Sequence, residues 1–258
     1  MADSWRQALK ILRSQGPAYL TRFALARLAG LARLRRELRA MPWGTDFARP
    51  IDLMVDRPLG AAQAVFSMQR KPEIAELLRR VAALRPQTVV EIGTAAGGTL
   101  FLLTRAAAPE ALLVSLDLPG GRFGGGYQAW RKPLYRSFAA AGQRIRLLRG
   151  NSHDPTMAAK LRALLAGRPV DFLFIDGDHS YAGVKADFEA YAPLVRPGGL
   201  VGFHDIVPDP RQPDMEVGRF WKEVAARHPP AAAVELIDSP EQEGYGIGLL
   251  TVPGAVKP

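Results

Sequence analysis

From residue 89 onward the chain alternates between short apolar runs and stretches of helical periodicity. Val89–Ile92, Ala111–Asp117, a run marked by Ile145, Leu147 and Leu148, Val170–Ile175 and Leu200–Phe203 are nearly continuous in apolar character. Such runs read as strands buried on both faces of a parallel sheet. Between them the apolar spacing turns helical. Pro72 with Ile74, Leu77, Leu78, Val81 and Leu84 predicts a helix before the first strand, and Leu100–Leu103 begin another. Further helices are expected from Gln128 to about Ala141, from Tyr181 to Leu194, and around Val217, Phe220, Trp221 and Val224. Ala233–Ile237 and the glycine-bearing run Gly246–Val252 predict two last strands, the final one suited to antiparallel pairing at a sheet edge. The sum is an α/β fold, a doubly wound and mostly parallel sheet of seven strands.

The first 44 residues follow another pattern. Trp5–Leu12 and Ala18–Leu38 place leucine, alanine and aromatic residues at helical spacing with arginines between them, broken at Gly16-Pro17. Residues 1–40 hold nine basic and two acidic side chains, so most of the net charge of +9 lies in this appendage and the rest is close to neutral. Packing on the domain or on a second subunit of a homo-oligomer is the first expectation. Peripheral contact with an anionic membrane surface is the second, and nucleic acid is disfavoured because the charge is not interleaved with exposed aromatics in the core. Residues 45–70, punctuated by Pro50, Pro58 and Gly60, read as an irregular segment that partly covers the ligand site. Residues 71–258 form the main domain. The 258 residues contain no cysteine, which removes thiol nucleophiles and thiolate metal sites, and no apolar run approaches the roughly 20 residues that span a bilayer. The expected location is the cytoplasm, with membrane association through the appendage.

Chemistry collects at the strand ends. After Val89-Val90-Glu91-Ile92 comes Gly93-Thr94-Ala95-Ala96-Gly97-Gly98-Thr99, a strand–turn–helix corner of the kind that binds nucleotides. Its spacing is not that of the dinucleotide fingerprint. Glu91 would repel a pyrophosphate and suits a cationic amino-acid moiety. Asp117 closes the second strand, where a carboxylate accepts ribose hydroxyls or else starts the turn at Pro119-Gly120. Residues 120–127 read as a glycine-rich, substrate-facing loop, and Asn151-Ser152, after the third strand, lie where an adenine would sit. The fourth strand delivers Asp176-Gly177-Asp178-His179 and the fifth His204-Asp205. Adjacent strand tips let Asp176, His204 and Asp205 converge on one divalent cation, magnesium, calcium or manganese.

Glu91-Ile92-Gly93-Thr94, Phe174-Ile175-Asp176-Gly177-Asp178-His179-Ser180-Tyr181, and Arg196-Pro197-Gly198-Gly199 leading to Phe203-His204-Asp205-Ile206 together resemble the class I S-adenosylmethionine-dependent methyltransferases. The nearest branch is that of the cation-dependent O-methyltransferases and the cephalosporin-hydroxylase-like group. The resemblance implies a Rossmann-like methyltransferase fold over residues 71–258 and S-adenosylmethionine as cofactor. Glu91, Gly93, Thr94, Gly97, Gly98 and Thr99 would hold its methionine end, Asp117 its ribose and Asn151 and Ser152 its adenine, while Asp176 borders cofactor and metal. The implied reaction is O-methylation of a small-molecule or saccharide hydroxyl assisted by magnesium or manganese, with His179, Asp178 and Asp176 as catalytic residues. A nucleic-acid methyltransferase and a non-catalytic S-adenosylmethionine-binding protein are the alternatives. Two departures stand out: His204-Asp205 occupies the place of Asp-Asn, and His179 that of a lysine.

Overall fold

The computed structural model describes residues 29–30, 32–41, 44, 46–55, 65–120 and 126–254. The helix expected over Trp5–Leu12, most of that over Ala18–Leu38, and residues 121–125 of the glycine-rich loop lie outside the described residues. Seven strands form one sheet: β1 (Thr88–Ile92), β2 (Leu112–Asp117), β3 (Arg144–Arg149), β4 (Val170–Ile175), β5 (Val195–His204), β6 (Ala233–Leu236) and β7 (Ile247–Thr251). Their order is β3-β2-β1-β4-β5-β7-β6. The first five are mutually parallel, and β7 is antiparallel as expected but lies between β5 and β6 rather than at the edge, which β6 occupies.

Period-two alternation explains why the central strands are apolar throughout. Val89 of β1 and Phe172 and Phe174 of β4 face one core, whereas Val90, Ile92, Leu173 and Ile175 face the other. The first core is closed by α1 (Ala48–Val55), α2 (Lys71–Leu84), α3 (Gly98–Ala106) and α4 (Lys132–Arg136), the second by α5 (Pro155–Leu165), α6 (Tyr181–Tyr191) and α7 (Val217–Ala225). Trp221 of α7 lies fully buried against β7 because Gly248 has no side chain; a Cβ there would stand 2.5 Å from the indole.

Three expectations are corrected. Residues 45–70 are not irregular throughout: α1 forms because Ile51 and Met54 fall on one face and enter the first core, with Asp46 accepting the Ala48 N–H. The helix expected to reach Ala141 stops at Arg136, where the Ser137 hydroxyl folds back onto the Leu134 carbonyl and Gln143 binds Ala140 N–H and the carbonyls of Thr104 and Ala108. The turn expected at Arg196–Gly199 lies inside β5, beside a register shift between Val170 and Phe172 of β4. Helix α5 was not anticipated; Asp154 caps it and Pro155 starts it.

Parallel strands present their carboxyl ends along one edge, and the chain reverses its winding between β1 and β4, which opens a crevice there. Of the appendage, residues 32–39 are helical, with Leu34 and Leu38 buried in the first core and Arg33, Arg35, Arg36 and Arg39 exposed. Among the described residues, no helix is long and apolar enough to cross a membrane. Because Leu38 is fully buried, Leu38→Ala should cost about 2–5 kcal/mol, read as a lower urea midpoint at unchanged slope. A loss below 1 kcal/mol, within the ordinary range for surface positions, would mean that this helix does not belong to the domain core.

Candidate active site

The corner after β1 is shaped by contacts within the protein. Gly93 has φ of 87°, and a Cβ on it would meet the Asp176 carbonyl oxygen at 1.8 Å. Gly97, at φ of 81°, lies under the Tyr135 ring, and Gly98 lies against the Phe66–Ser67 backbone. The glycines are therefore demanded by three crossings of this chain. Tyr135 Oη donates to the Ala95 carbonyl at 2.6 Å, Gly98 N–H to the Phe66 carbonyl at 3.0 Å, and Ser67 and Thr99 share a hydroxyl bond of 2.8 Å. Residues 66–69 thus lie across the start of α3, as a covering segment would.

Glu91 sits beneath this turn, completely buried. Thr94 Oγ1 donates to its Oε2 at 2.5 Å, and Ser115 Oγ stands 2.7 Å from the same hydroxyl. Its Oε1 has no hydrogen-bond partner. Burial raises the Glu91 pKa well above the usual carboxylate range; the Thr94 bond opposes this, and the fields of Asp176 and Asp117 add to it. Asp117 is placed differently from a free ribose ligand. Its Oδ2 accepts the N–H groups of Thr94 and Ala95 at 2.9 and 2.7 Å, and its Oδ1 that of Leu118 at 2.7 Å. Burial nonetheless leaves its pKa raised. The carboxylate therefore ties the tip of β2 to the glycine turn.

The loop after β3 is clamped from α6. Gly150 N–H donates to the Asp117 carbonyl at 2.8 Å, and Tyr191 Oη to the Ser152 carbonyl at 2.7 Å. Asn151 Oδ1 accepts the His153 N–H, and His153 Nε2 stands 3.5 Å from the fully buried Asp187. This places Asn151 and Ser152 beside the tip of β2, on the expected side of the crevice.

A second cluster gathers at the tips of β4 and β5. Asp205 has φ of 60°, a left-handed turn that aspartate tolerates, immediately after the last residue of β5. His204 Nδ1 lies 3.1 Å from Asp176 Oδ1 and 3.2 Å from Asp205 Oδ2. His179 Nε2 lies 3.4 and 3.6 Å from the same two oxygens. Among the described residues, the group whose ligand atoms all fall within 4.8 Å of one another is Asp176, His179 and Asp205. His204 stands behind them, 4% exposed, with Nε2 buried and unpartnered. Asp178 does not join: it is exposed, and its Oδ1 accepts the Ser180 N–H at the start of α6. Burial works to raise the Asp176 pKa, but the charges and bonds of His204 and His179 outweigh it and hold the group at about 2. Burial works to lower both histidines, yet the facing carboxylates raise His179, and raise His204 well above its ordinary value.

These side chains open into a cavity of about 440 Å³, also lined by Met68, Asp209, Arg211, Gln212, Met215 and Tyr245. Of these six, only Met68 belongs to a segment expected to cover the site; the other five were not foreseen. Gln69 lies in the same segment, its Nε2 3.4 Å from Asp176 Oδ2 and its Oε1 buried without a partner; Glu73, whose buried carboxylate accepts Gly246 N–H and Gln242 Nε2, was not foreseen either. The one available signal was Gly244-Tyr245-Gly246, an aromatic between two glycines just ahead of a strand.

Residues 90–206 match the family model of a methyltransferase domain. An uncharacterised protein of Sinorhizobium fredii is 32% identical over 174 residues, which cover 65% of this chain but 17% of that protein, so this chain spans far less than two thirds of that curated relative. Among solved structures, cofactor-bound Rv0187 from MTB superposes with a TM-score of 0.51 at 18% identity, covering 96% of each chain. The O-methyltransferase TomG from Streptomyces achromogenes, involved in tomaymycin synthesis and solved in complex with SAM, gives 0.50 at 20% identity, covering 81% of this chain and 89% of that one. At such identities the likeness is one of fold. The fold is the Rossmann-like methyltransferase fold.

The His153–Asp187 pair makes stability depend on pH. Asp187 raises the His153 pKa above 6.5, so the stabilisation is complete below that value and is lost as the pH climbs through the folded-state pKa. Urea melts from about pH 5.5 to about pH 9 should show a decline in the wild type that is shallower in His153→Gln, the raised His179 and His204 supplying the remainder. Parallel curves for the two proteins would remove the clamp.

Proposed function

We propose that this chain is an S-adenosylmethionine-dependent O-methyltransferase acting on a small-molecule hydroxyl. The observation that carries this reading is the meeting, at one crevice of a methyltransferase fold, of buried acceptors suited to a cation with a separate polar cavity. Glu91 Oε1 and Gln69 Oε1 are buried acceptors without donors, and Asp176 is held ionised beside Gln69. Burying unpaired acceptors is costly, and a positively charged ligand removes that cost. The cofactor supplies, when bound, an electrophilic methyl group on a sulfonium. Glu91, Gln69 and Asp176 would favour its charged end, and the loop of Asn151 and Ser152 its adenine end.

The remaining work falls to the acceptor side. An alcohol is a weak nucleophile near neutral pH, so its proton must be removed or its pKa lowered. Asp176, Asp205 and His179 Nε2 form a donor set that fits a divalent cation such as magnesium or manganese, which would lower the pKa of a bound hydroxyl. In that reading His204 orients both carboxylates from behind and is itself no ligand. The competing use of the same nitrogen is as a base, with His179 Nε2 taking the hydroxyl proton. Nε2 cannot be ligand and base at once, and its direct facing of two carboxylates favours the ligand role.

Two measurements test this. With S-adenosylmethionine and a panel of hydroxylated acceptors, chelation should abolish methyl transfer and manganese or magnesium restore it, while Asp205→Asn loses at least about 100-fold. Full turnover in chelator would assign His179 as the base instead. Calorimetric affinity for S-adenosylmethionine should fall as the pH drops through the raised pKa of Glu91, because the neutral carboxyl no longer attracts a cation. Glu91→Gln should bind about tenfold more weakly and lose that pH dependence.

A further inference from the structure

We infer that the acceptor is a saccharide and that Tyr245 is the flat surface on which its ring lies. The inference rests on the methyl-transfer reading above and adds the substrate class and a residue for recognising it.

Gly244, Tyr245 and Gly246 are three successive residues in the left-handed region, with φ of 72°, 60° and 79°. Glycine enters that region freely, but for a bulky aromatic it is an outlier, and such outliers persist where surrounding structure enforces them. The enforcement is visible on both sides. Gly244 N–H donates to the Pro208 carbonyl at 3.0 Å and Val207 N–H to the Tyr245 carbonyl at 2.9 Å. From α2, the Glu73 carboxylate takes Gly246 N–H at 3.0 Å, Gln242 Nε2 at 2.7 Å and Asp238 N–H at 3.3 Å. This framework does not bury the ring. Tyr245 remains 38% exposed at the cavity, its centroid 6.1 Å from that of His204, which holds the two carboxylates of the cluster.

The rest of the lining decides what kind of ring fits. Among the described residues, Met68 and Met215 are the large apolar side chains that line the cavity beside Tyr245. Facing them is a polar fork: Asp209 accepts Arg211 N–H, Nε and Nη2 and Gln212 Nε2, at 2.8 to 3.2 Å. That arrangement fixes the arginine and the amide in place, with Arg211 still largely exposed and the Gln212 amide oxygen able to accept. A pyranose presents an apolar face of C–H groups and an equatorial rim of hydroxyls that both donate and accept. One aromatic face with planar polar groups around it matches that pattern. A phenolic acceptor would set its apolar ring against charged groups on most sides.

The test uses the full chain loaded with S-adenosylhomocysteine, and saturation-transfer NMR with a mixture of methyl glycopyranosides and, separately, a mixture of para-substituted phenols. Ring C–H protons of the glycosides should saturate with the wild type and with Tyr245→Phe, and at least fivefold less with Tyr245→Gly. Glycine is at ease at this φ, so Tyr245→Gly should unfold at the same temperature as the wild type or higher, which separates loss of the ring from loss of the fold. Undiminished glycoside saturation in Tyr245→Gly, no saturation of any glycoside in the wild type, or saturation of phenols alone would overturn the assignment. Calorimetry with S-adenosylhomocysteine runs alongside. If the cofactor product fails to bind, the methyl-transfer reading falls, whereas the glycoside signals still decide the role of Tyr245.

Discussion

The structure depends on how closely the ends of β1 and β4 approach. Asp176 N–H donates to the Ile92 carbonyl at 2.8 Å, and the Asp176 carbonyl occupies the space where any residue other than glycine at 93 would carry its Cβ. The approach is possible because Gly93 also takes a φ of 87°, turning the chain away from the sheet at that point. Its consequence is positional. One carboxylate, Asp176, becomes common to both halves of the crevice: Gln69 and the field of Glu91 on one side, His179, His204 and Asp205 on the other. A shift of the β4 tip would therefore disturb cofactor and acceptor sides together.

The three carboxylates around that junction show how partner type outweighs burial alone. Glu91 has a single hydroxyl donor and is driven toward its neutral form. Asp117 has backbone N–H donors on both oxygens and still ends above its ordinary pKa, so neutral donors only moderate the effect of burial. Asp176 is largely buried, and two facing imidazoles bring it down to about 2. Charged partners reverse the sign, where hydrogen bonds from amides do not. The site thus holds one fixed negative charge beside one carboxyl whose charge follows its surroundings, and a cationic ligand selects the ionised form of the second.

How much of this was legible in the sequence varies with the range of the interaction. The central strands β1, β2 and β4 could be read because each is buried along its whole length, and their tips could be read because a parallel sheet delivers them all to one edge. That logic found Glu91, Asp117, Asp176, His179, His204 and Asp205. It left roles open wherever a local pattern admits several partners. The glycines of the turn were read as room for a ligand, and they also make room for Asp176, Tyr135 and the Phe66 backbone, which no local pattern names. Asp178 looked catalytic by adjacency, but at a helix start a short carboxylate finds the nearest free N–H. The far wall of the acceptor cavity was missed, and the contacts that position it join distant segments: Gln69 with Asp176, and Glu73 with Gly246, are over 100 residues apart.

The inserted antiparallel strand explains why that cavity lies where it does. β6 runs antiparallel to β7, hence in the same sense as β1 to β5, and so ends at the edge that carries the chemistry. β7 must then begin at that edge and run back beside β5, with Ile247 opposite His204. The connection between them, residues 237–246, therefore lies at that edge, next to the β5 tip, where Tyr245 meets His204. A parallel seventh strand would have returned its connection to the far edge and left His204 and Asp205 without a wall. Antiparallel insertion thus places Tyr245 within reach of the Asp176–His204–Asp205 cluster, and Glu73 of α2 fixes the height at which it stands. The strand order that defines the fold and the shape of the acceptor cavity are one constraint seen at two scales.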